Sequence, residues 1–276
     1  MGALHGGHRS LVRRARADCD RVIVSIFVNP RQFGAGEDID RYPRALETDL
    51  GILTEERVDA VFVPTVAAMY GENAATAVRV EGLLTTSLEG AHRPGHFEGV
   101  ALVVAKLLVA CRPHRAYFGQ KDAQQSAVVR RLARDLDTGV EITVCPVVRD
   151  SDGLALSSRN AYLSAEERDR ALAIPRGLSA AAAAFAAGER SAARLSGLVR
   201  DLMEGAGFTI DYVAAVDEAF TPVDAAAVGC QILVAGRMGS TRLIDVIRLG
   251  IDEAPLDAVA SHGSQIPGVT GIQGRE

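Results

Sequence analysis

Val22-Ile23-Val24-Ser25-Ile26-Phe27-Val28 is the stretch that most limits what this chain can fold into. A nearly unbroken β-branched and aromatic run reads as a strand buried on both faces. Such strands belong to parallel sheets, because the crossover connections between parallel strands lay helices over both faces. The flanking segments agree. Leu11, Val12 and Ala15 fall one turn apart and predict a helix from near His8; Leu46, Leu50 and Leu53 space a second. Asp59-Ala60-Val61-Phe62-Val63-Pro64 is a second strand. Residues 89–97 read as a loop, and Val100 to Cys111 as a buried helix. Arg115-Ala116-Tyr117-Phe118 is a strand, Val128, Val129, Leu132 and Leu136 stripe a helix, and Val140 to Val148 is a last strand. This alternation predicts an α/β fold with a Rossmann-like parallel sheet domain over residues 1–148.

The second half changes character. Ser164-Ala165-Glu166-Glu167 has the form of a capping box and opens an alanine-rich helical region through Arg190, with a break or kink expected at Pro175. Ser191 to Glu204 makes another helix, stopped by Gly205 and Gly207. Residues 212–216, 231–235 and 241–245 read as strands of an antiparallel sheet. Residues 149–250 are thus expected to form a smaller α+β domain, and 251–276, without periodicity, a disordered tail.

Charge and cysteine usage narrow the function classes. A formal net charge of −5 lacks the basic surplus of a nucleic-acid binder. No apolar run approaches the ~18 residues of a membrane span, and no signal-type segment opens the chain, so a cytoplasmic address without membrane partners is expected. The four cysteines form no C-x-x-C pair and read as thiols rather than zinc ligands.

Four loops carry the chemistry. The first, His5-Gly6-Gly7-His8, places two imidazoles and two glycines at the start of a helix, where free N–H groups meet anions. The others are Asn29-Pro30-Arg31-Gln32-Phe33, Phe118-Gly119-Gln120-Lys121-Asp122-Ala123-Gln124-Gln125, and Asp152-Gly153-Leu154-Ala155-Leu156-Ser157-Ser158-Arg159-Asn160. Loops at the carboxyl ends of parallel strands converge on one crevice, so two histidines, a lysine and a Ser-Ser-Arg cluster would meet there, a set suited to a triphosphate. A strand should also lead into the first loop, and none precedes Met1. Either the chain was started late or it lacks the first strand of its own sheet; if the strand is truly absent, a poorly active and aggregation-prone chain is expected.

His5-x-Gly7-His8 has the form shared by nucleotidylyl transferases and class I aminoacyl-tRNA synthetases. Five longer segments, 1–8, 25–33, 93–100, 118–125 and 152–160, together resemble the pantoate–β-alanine ligase family. The resemblance implies joining of pantoate to β-alanine through a pantoyl adenylate, with ATP as substrate, Mg²⁺ as cofactor and a homodimer as the assembly. It puts ATP contacts at Met1, Gly2, Ala3, Leu4, His5, Gly7 and His8, at Gly119, Gln120, Lys121 and Asp122, and at Val148, Leu156, Ser157, Ser158 and Arg159. Of these, His5, His8, Lys121, Ser157, Ser158 and Arg159 are the implied catalytic set, with His8 as proton donor. Gln32 and Gln125 would grip pantoate, Val100, Val103, Val104 and Phe118 would enclose its gem-dimethyl group, and Asn29 would lie near β-alanine. Where relatives offer adjacent acids to magnesium, this chain has Thr48-Asp49, which makes Asp49 the metal candidate. His92, His96 and His114 are expected to be loop or strand-end histidines. Two other readings stay open: a different nucleotidylyltransferase with the same histidine motif, and a shortened homologue that binds ATP without turnover.

Overall fold

The computed structural model describes residues 2–257. Met1, an expected ATP contact, and residues 258–276 of the expected tail lie outside the described residues. Residues 251–257 are held in place: Asp252 accepts hydrogen bonds from Gln120 and Arg248, and the Leu256 amide donates to Ser179 Oγ at 3.1 Å.

The first half alternates as the periodicity requires. Helix α1 (Gly6–Asp18) leads to β1 (Ile23–Ser25), α2 (Leu46–Glu55) to β2 (Ala60–Phe62), and short helices α3 (Val66–Tyr70), α4 (Leu83–Thr86) and α5 (Glu89–His92) follow. Helix α6 (His96–Cys111) then leads to β3 (Arg115–Gly119), and α7 (Ala123–Asp135) to β4 (Glu141–Cys145). Strand β1 pairs in parallel with β2, and β3 in parallel with β4.

Among the described residues these strands form two separate parallel pairs rather than one continuous sheet. Side chains join the pairs instead. Tyr117 of β3 packs on the cluster of Val12, Ala15, Val24, Ile26 and Leu53, and its hydroxyl donates to Asp18 at 3.1 Å. Strand β1 is shorter than its apolar run. The Ile26 amide still bonds Phe62 O at 2.9 Å, but the partner strand soon meets Pro64, which has no N–H to continue a ladder.

The region expected to be a loop, 89–97, is largely helical. Helix α6 starts at His96, because Gly95 adopts φ +82°, a left-handed turn that an L side chain would strain. Its polar first turn concealed that start from apolar spacing.

In the second half α8 (Ala165–Ala171) carries the reciprocal Ser164–Glu167 capping box. The alanine-rich segment breaks at Leu172, and α9 (Ala173–Ala186) takes Pro175 into its first turn, where the missing N–H costs no intrahelical bond. Helix α10 (Ala192–Gly205) and α9 pack on an antiparallel sheet of β5 (Thr209–Val216), β6 (Gln231–Met238) and β7 (Thr241–Arg248).

The halves share buried contacts. Ala123 at the start of α7 sits in one cluster with Val216, Phe220, Leu233 and Val246. Where the chain passes into the second half, Arg149 grips Asp245 of β7 at 2.7 and 3.1 Å, both side chains nearly fully buried. Glu89 takes both terminal nitrogens of Arg242 and the Tyr212 hydroxyl, and these partners hold its carboxyl at about 2 against the opposing effect of burial. A cleft between the halves results, with Lys121, Asp122 and Gln125 on one wall and Tyr212, Ile244 and Asp245 on the other.

Candidate active site

The histidine loop is built by its own side chains. His5 is the extended N-cap of α1, and its Nδ1 accepts the Gly7 amide at 3.1 Å. His8 Nδ1 accepts the His5 amide at 3.3 Å, closing a reciprocal capping box. An imidazole whose Nδ1 accepts must, when neutral, carry its proton on Nε2, so each ring keeps an Nε2–H to donate. The ring centroids lie 4.1 Å apart.

Burial, and then the charge of Lys121, lowers the pKa of His5; burial, His5 and Lys121 bring that of His8 to about 3. Near pH 7 both are neutral hydrogen-bond donors. Lys121 itself sits on a single 3₁₀ turn, Gln120–Asp122, between β3 and α7.

Leu156, which leads into the Ser-Ser-Arg segment, packs on this loop. A Cβ on Gly6 would lie 3.0 Å from Leu156 Cδ1, so the glycine pair and Leu156 are in contact. The Leu156 amide donates to Val148 O at 2.9 Å, which ties the two ATP candidates together. Ser157 caps its own turn by accepting the Arg159 amide, and Ser158 Oγ bonds the Tyr42 hydroxyl at 3.2 Å. Arg159 makes a bidentate pair with Asp38 at 2.7 and 2.8 Å, and the arginine's pKa is raised by that carboxylate although burial opposes it.

The second loop is fixed more tightly than its sequence suggests. Asn29 is 2% exposed and fully engaged. Its Nδ2 donates to Gln32 Oε1 and to Gly99 O, both at 3.1 Å, while its Oδ1 accepts the Arg31 amide at 3.1 Å and the Tyr70 hydroxyl. Helix α6 comes so close that a Cβ on Gly99 would lie 2.1 Å from Arg31 O.

His96, expected to be an incidental loop histidine, supports the same turn. Its Nδ1 lies 2.8 Å from Gln32 O, an acceptor, so Nδ1 carries the proton and Nε2 accepts from Arg93 at 3.2 Å. Burial foremost, with Arg93 adding, brings its pKa to about 4. Arg93 in turn pairs with Glu37 at 2.8 and 2.9 Å. The available signal was the three-residue spacing of Arg93 and His96, which puts both at the opening of α6.

Other candidates fall elsewhere. Gln125 and Gln124 both line the cleft, and Gln124, nearly fully buried, also braces residues 84–89. The Gln120 side chain is buried and donates to Asp252. Val100, Val103 and Val104 are buried in the α6–α7 core with Phe118 packed against them. Asp49 is 1% exposed, and its two oxygens accept the Leu4 amide at 2.7 Å and the Ala3 amide at 3.0 Å. Among the described residues no group of three or more His, Cys, Asp or Glu could hold a metal ion.

With this geometry in hand, comparison with known proteins is specific. The family described as Pantoate-beta-alanine ligase matches residues 1–248. A pantothenate synthetase of Acidobacterium capsulatum is 53% identical over 252 residues, covering 91% of this chain and 84% of that protein. The crystal structure of pantothenate synthetase from Thermus thermophilus superposes with a TM-score of 0.88 at 48% identity, covering 90% of each chain. A pantoate-beta-alanine ligase from Francisella tularensis, complexed with beta-gamma ATP and beta-alanine, gives 0.73 at 33% identity, covering 90% of this chain and 87% of that one.

Proposed function

The chain belongs to the pantoate–β-alanine ligase family, and we propose from that membership how its loops divide the work of one ATP-dependent ligation. The reaction itself is that of the family: pantoate and β-alanine are joined in a reaction that consumes ATP. It proceeds in two displacements. A pantoate carboxylate oxygen attacks the α-phosphorus and pyrophosphate leaves; the β-alanine amine then attacks the acyl carbon and AMP leaves.

One observation supports the assignment of roles most strongly. Leu156 packs on Gly6, which brings the start of the Ser157–Arg159 segment beside the loop of two neutral histidines whose electrostatic neighbour is Lys121. Negative charge grows on the departing phosphates, and preorganised donors in a partly dry site stabilise it. His5 and His8 supply Nε2–H donors and Lys121 a full positive charge. In the unliganded chain His8 is neutral near pH 7, so it meets the phosphates as an Nε2–H donor. Arg159 exchanges Asp38 for the triphosphate when ATP enters.

Gln32, whose Oε1 is held by Asn29, presents its amide N–H₂ to pantoate, and Gln125 faces it from α7. Gly2, Ala3, Leu4, Gly7, Gly119, Gln120, Asp122 and Val148 contribute backbone or side-chain contacts to ATP. Val100, Val103, Val104 and Phe118 form the apolar backing of the pantoate site.

Mg²⁺ fits as an ion carried by the triphosphate, which needs at most one or two protein carboxylates. It neutralises phosphate charge when bound, and Asp49 does not fit as its ligand. The two parallel pairs are read as parts of one Rossmann-like sheet within a nucleotide and pantoate half, residues 1–148, covered by a lid, 149–250. Exposed Leu46 and Leu50 on α2, with Val63 and Val66, offer the apolar surface for a homodimer, and the assembly is assigned to the cytoplasm.

The test is pyrophosphate release that requires pantoate, followed by AMP formation that requires β-alanine. Pyrophosphate release driven instead by a phosphate ester would favour the other nucleotidylyltransferase reading. ATP binding with no pyrophosphate under any substrate would favour the shortened, inactive one.

A further inference from the structure

Asp49 has a different role from the one its sequence position suggests. It lies on α2 four residues before Leu53, so both face the same way. Leu53 is buried among Val12, Ala15, Val24 and Ile26, and that packing fixes the rotation of α2. The carboxylate is thereby delivered to the histidine loop, where Oδ1 takes the Leu4 amide at 2.7 Å and Oδ2 the Ala3 amide at 3.0 Å. Ala3 has φ +51°, a left-handed conformation that costs a residue with a side chain about 1 kcal/mol or more. The next amide, that of His5, is taken by His8 Nδ1.

Three successive amides are therefore all held by side chains, two of them by one carboxylate reaching across more than forty residues of sequence. Leu4 itself packs on the same cluster as Leu53. A buried carboxylate is stable only when its oxygens are well hydrogen-bonded, and here the backbone amides do this. A cation ligand would need those oxygens turned toward the triphosphate and accessible.

We infer that Asp49 is a positioning residue: it clamps the Ala3 and Leu4 amides, stores the left-handed turn at Ala3, and thereby sets the two histidine rings against the phosphates. This rests on the reading of His5 and His8 as phosphate-facing donors. The clamp itself can be judged apart from that reading.

The experiment uses the full chain and the near-isosteric Asp49→Asn, whose Nδ2 cannot accept an amide hydrogen. Three quantities are followed: pantoate-dependent pyrophosphate release, its Mg²⁺ activation midpoint, and the titration of the histidine ring signals by NMR without ATP. We expect a loss of about 10²-fold in the pyrophosphate-release rate, the size of effect that a misplacement of about 1 Å produces. The Mg²⁺ midpoint should stay within twofold, and the lowest histidine pKa should move up toward the ordinary range.

A tenfold or greater rise in the Mg²⁺ midpoint, with rate restored at saturating Mg²⁺, would make Asp49 a metal ligand and overturn the inference. Unchanged rate and unchanged titration would also overturn it. Titration that moves while the rate stays at the wild-type level would leave the clamp standing and remove the histidines from catalysis. Should the variant not fold, amide exchange in the wild-type chain decides: slow exchange at Ala3 and Leu4 supports the clamp, and exchange at the free rate refutes it.

Discussion

Gly99→Ala probes how closely α6 must approach the loop that carries Gln32. The added Cβ would lie 2.1 Å from Arg31 O, 2.4 Å from Arg31 C and 2.7 Å from Gln32 N, all of them backbone atoms that cannot swing aside. Ordinary contact begins near 3.4 Å, so loop and helix must separate by about 1.3 Å, the difference between 3.4 and 2.1. Two bonds that depend on this approach would be strained together: Asn29 Nδ2 to Gly99 O at 3.1 Å, and His96 Nδ1 to Gln32 O at 2.8 Å. Overpacking of this kind costs about 1–3 kcal/mol of stability, which a folded domain of this size survives. The effect on function should be larger, because a displacement of about 1 Å in a positioning group can lower a rate by about 10²-fold. The assay is pantoate-dependent pyrophosphate release, with ATP affinity measured separately by calorimetry. A loss of about 10²-fold in kcat/KM for pantoate, with ATP affinity within threefold, is expected. Wild-type kcat/KM for pantoate in a folded variant would refute the idea that this contact places Gln32.

Lys121→Ala should lower the single-turnover rate of adenylate formation by about 10²-fold or more while pantoate affinity changes little, since its charge acts mainly as phosphate charge develops; rapid-quench measurement checks it. Asp38→Asn removes the carboxylate that competes with ATP for Arg159, a partly exposed pair worth about 0.2–1 kcal/mol, so ATP should bind up to about fivefold more tightly by calorimetry. Weaker binding would show that Asp38 supports the loop instead. The pKa values of about 3 for His8 and about 4 for His96 lie below the ordinary 6.5, so below that pH the unfolded chain takes up protons that the native chain does not. Stability should therefore fall as pH drops from about 6.5 to 5, where carboxylates are still ionised, and urea midpoints at the two pH values measure it; His96→Gln should flatten that slope.

Periodicity was enough to locate most elements because each helix and strand buries a stripe set by its own local spacing. The three C-terminal strands, the capping box at Ser164 and the four loops were all legible in this way. Start points were less so where the first turn is polar, as at His96, or where a partner strand ends early, as at Pro64. Pairing between strands is a long-range property, and nothing in Val22–Val28 or Arg115–Phe118 states that their strands fall into separate pairs.

The same distinction separates the site residues that motifs identify from those that only coordinates reveal. His5, His8 and Lys121 announce themselves by residue type and by the glycine-flanked loops they occupy. The adjacent glutamines show the limit. Lys121, Gln124 and Gln125 all border the cleft, yet Gln124 commits its carboxamide to Glu89, Leu84 and Ser87. Asp49 shows it more sharply. An acid beside a phosphate site suggests a metal ligand when only its position along the chain is known. The inference that it is a clamp instead rests on two backbone amides, 45 and 46 residues away in sequence, that end within hydrogen-bond distance of its oxygens. Backbone donors are identical in every residue except proline, so no sequence pattern can mark which of them a buried carboxylate will meet.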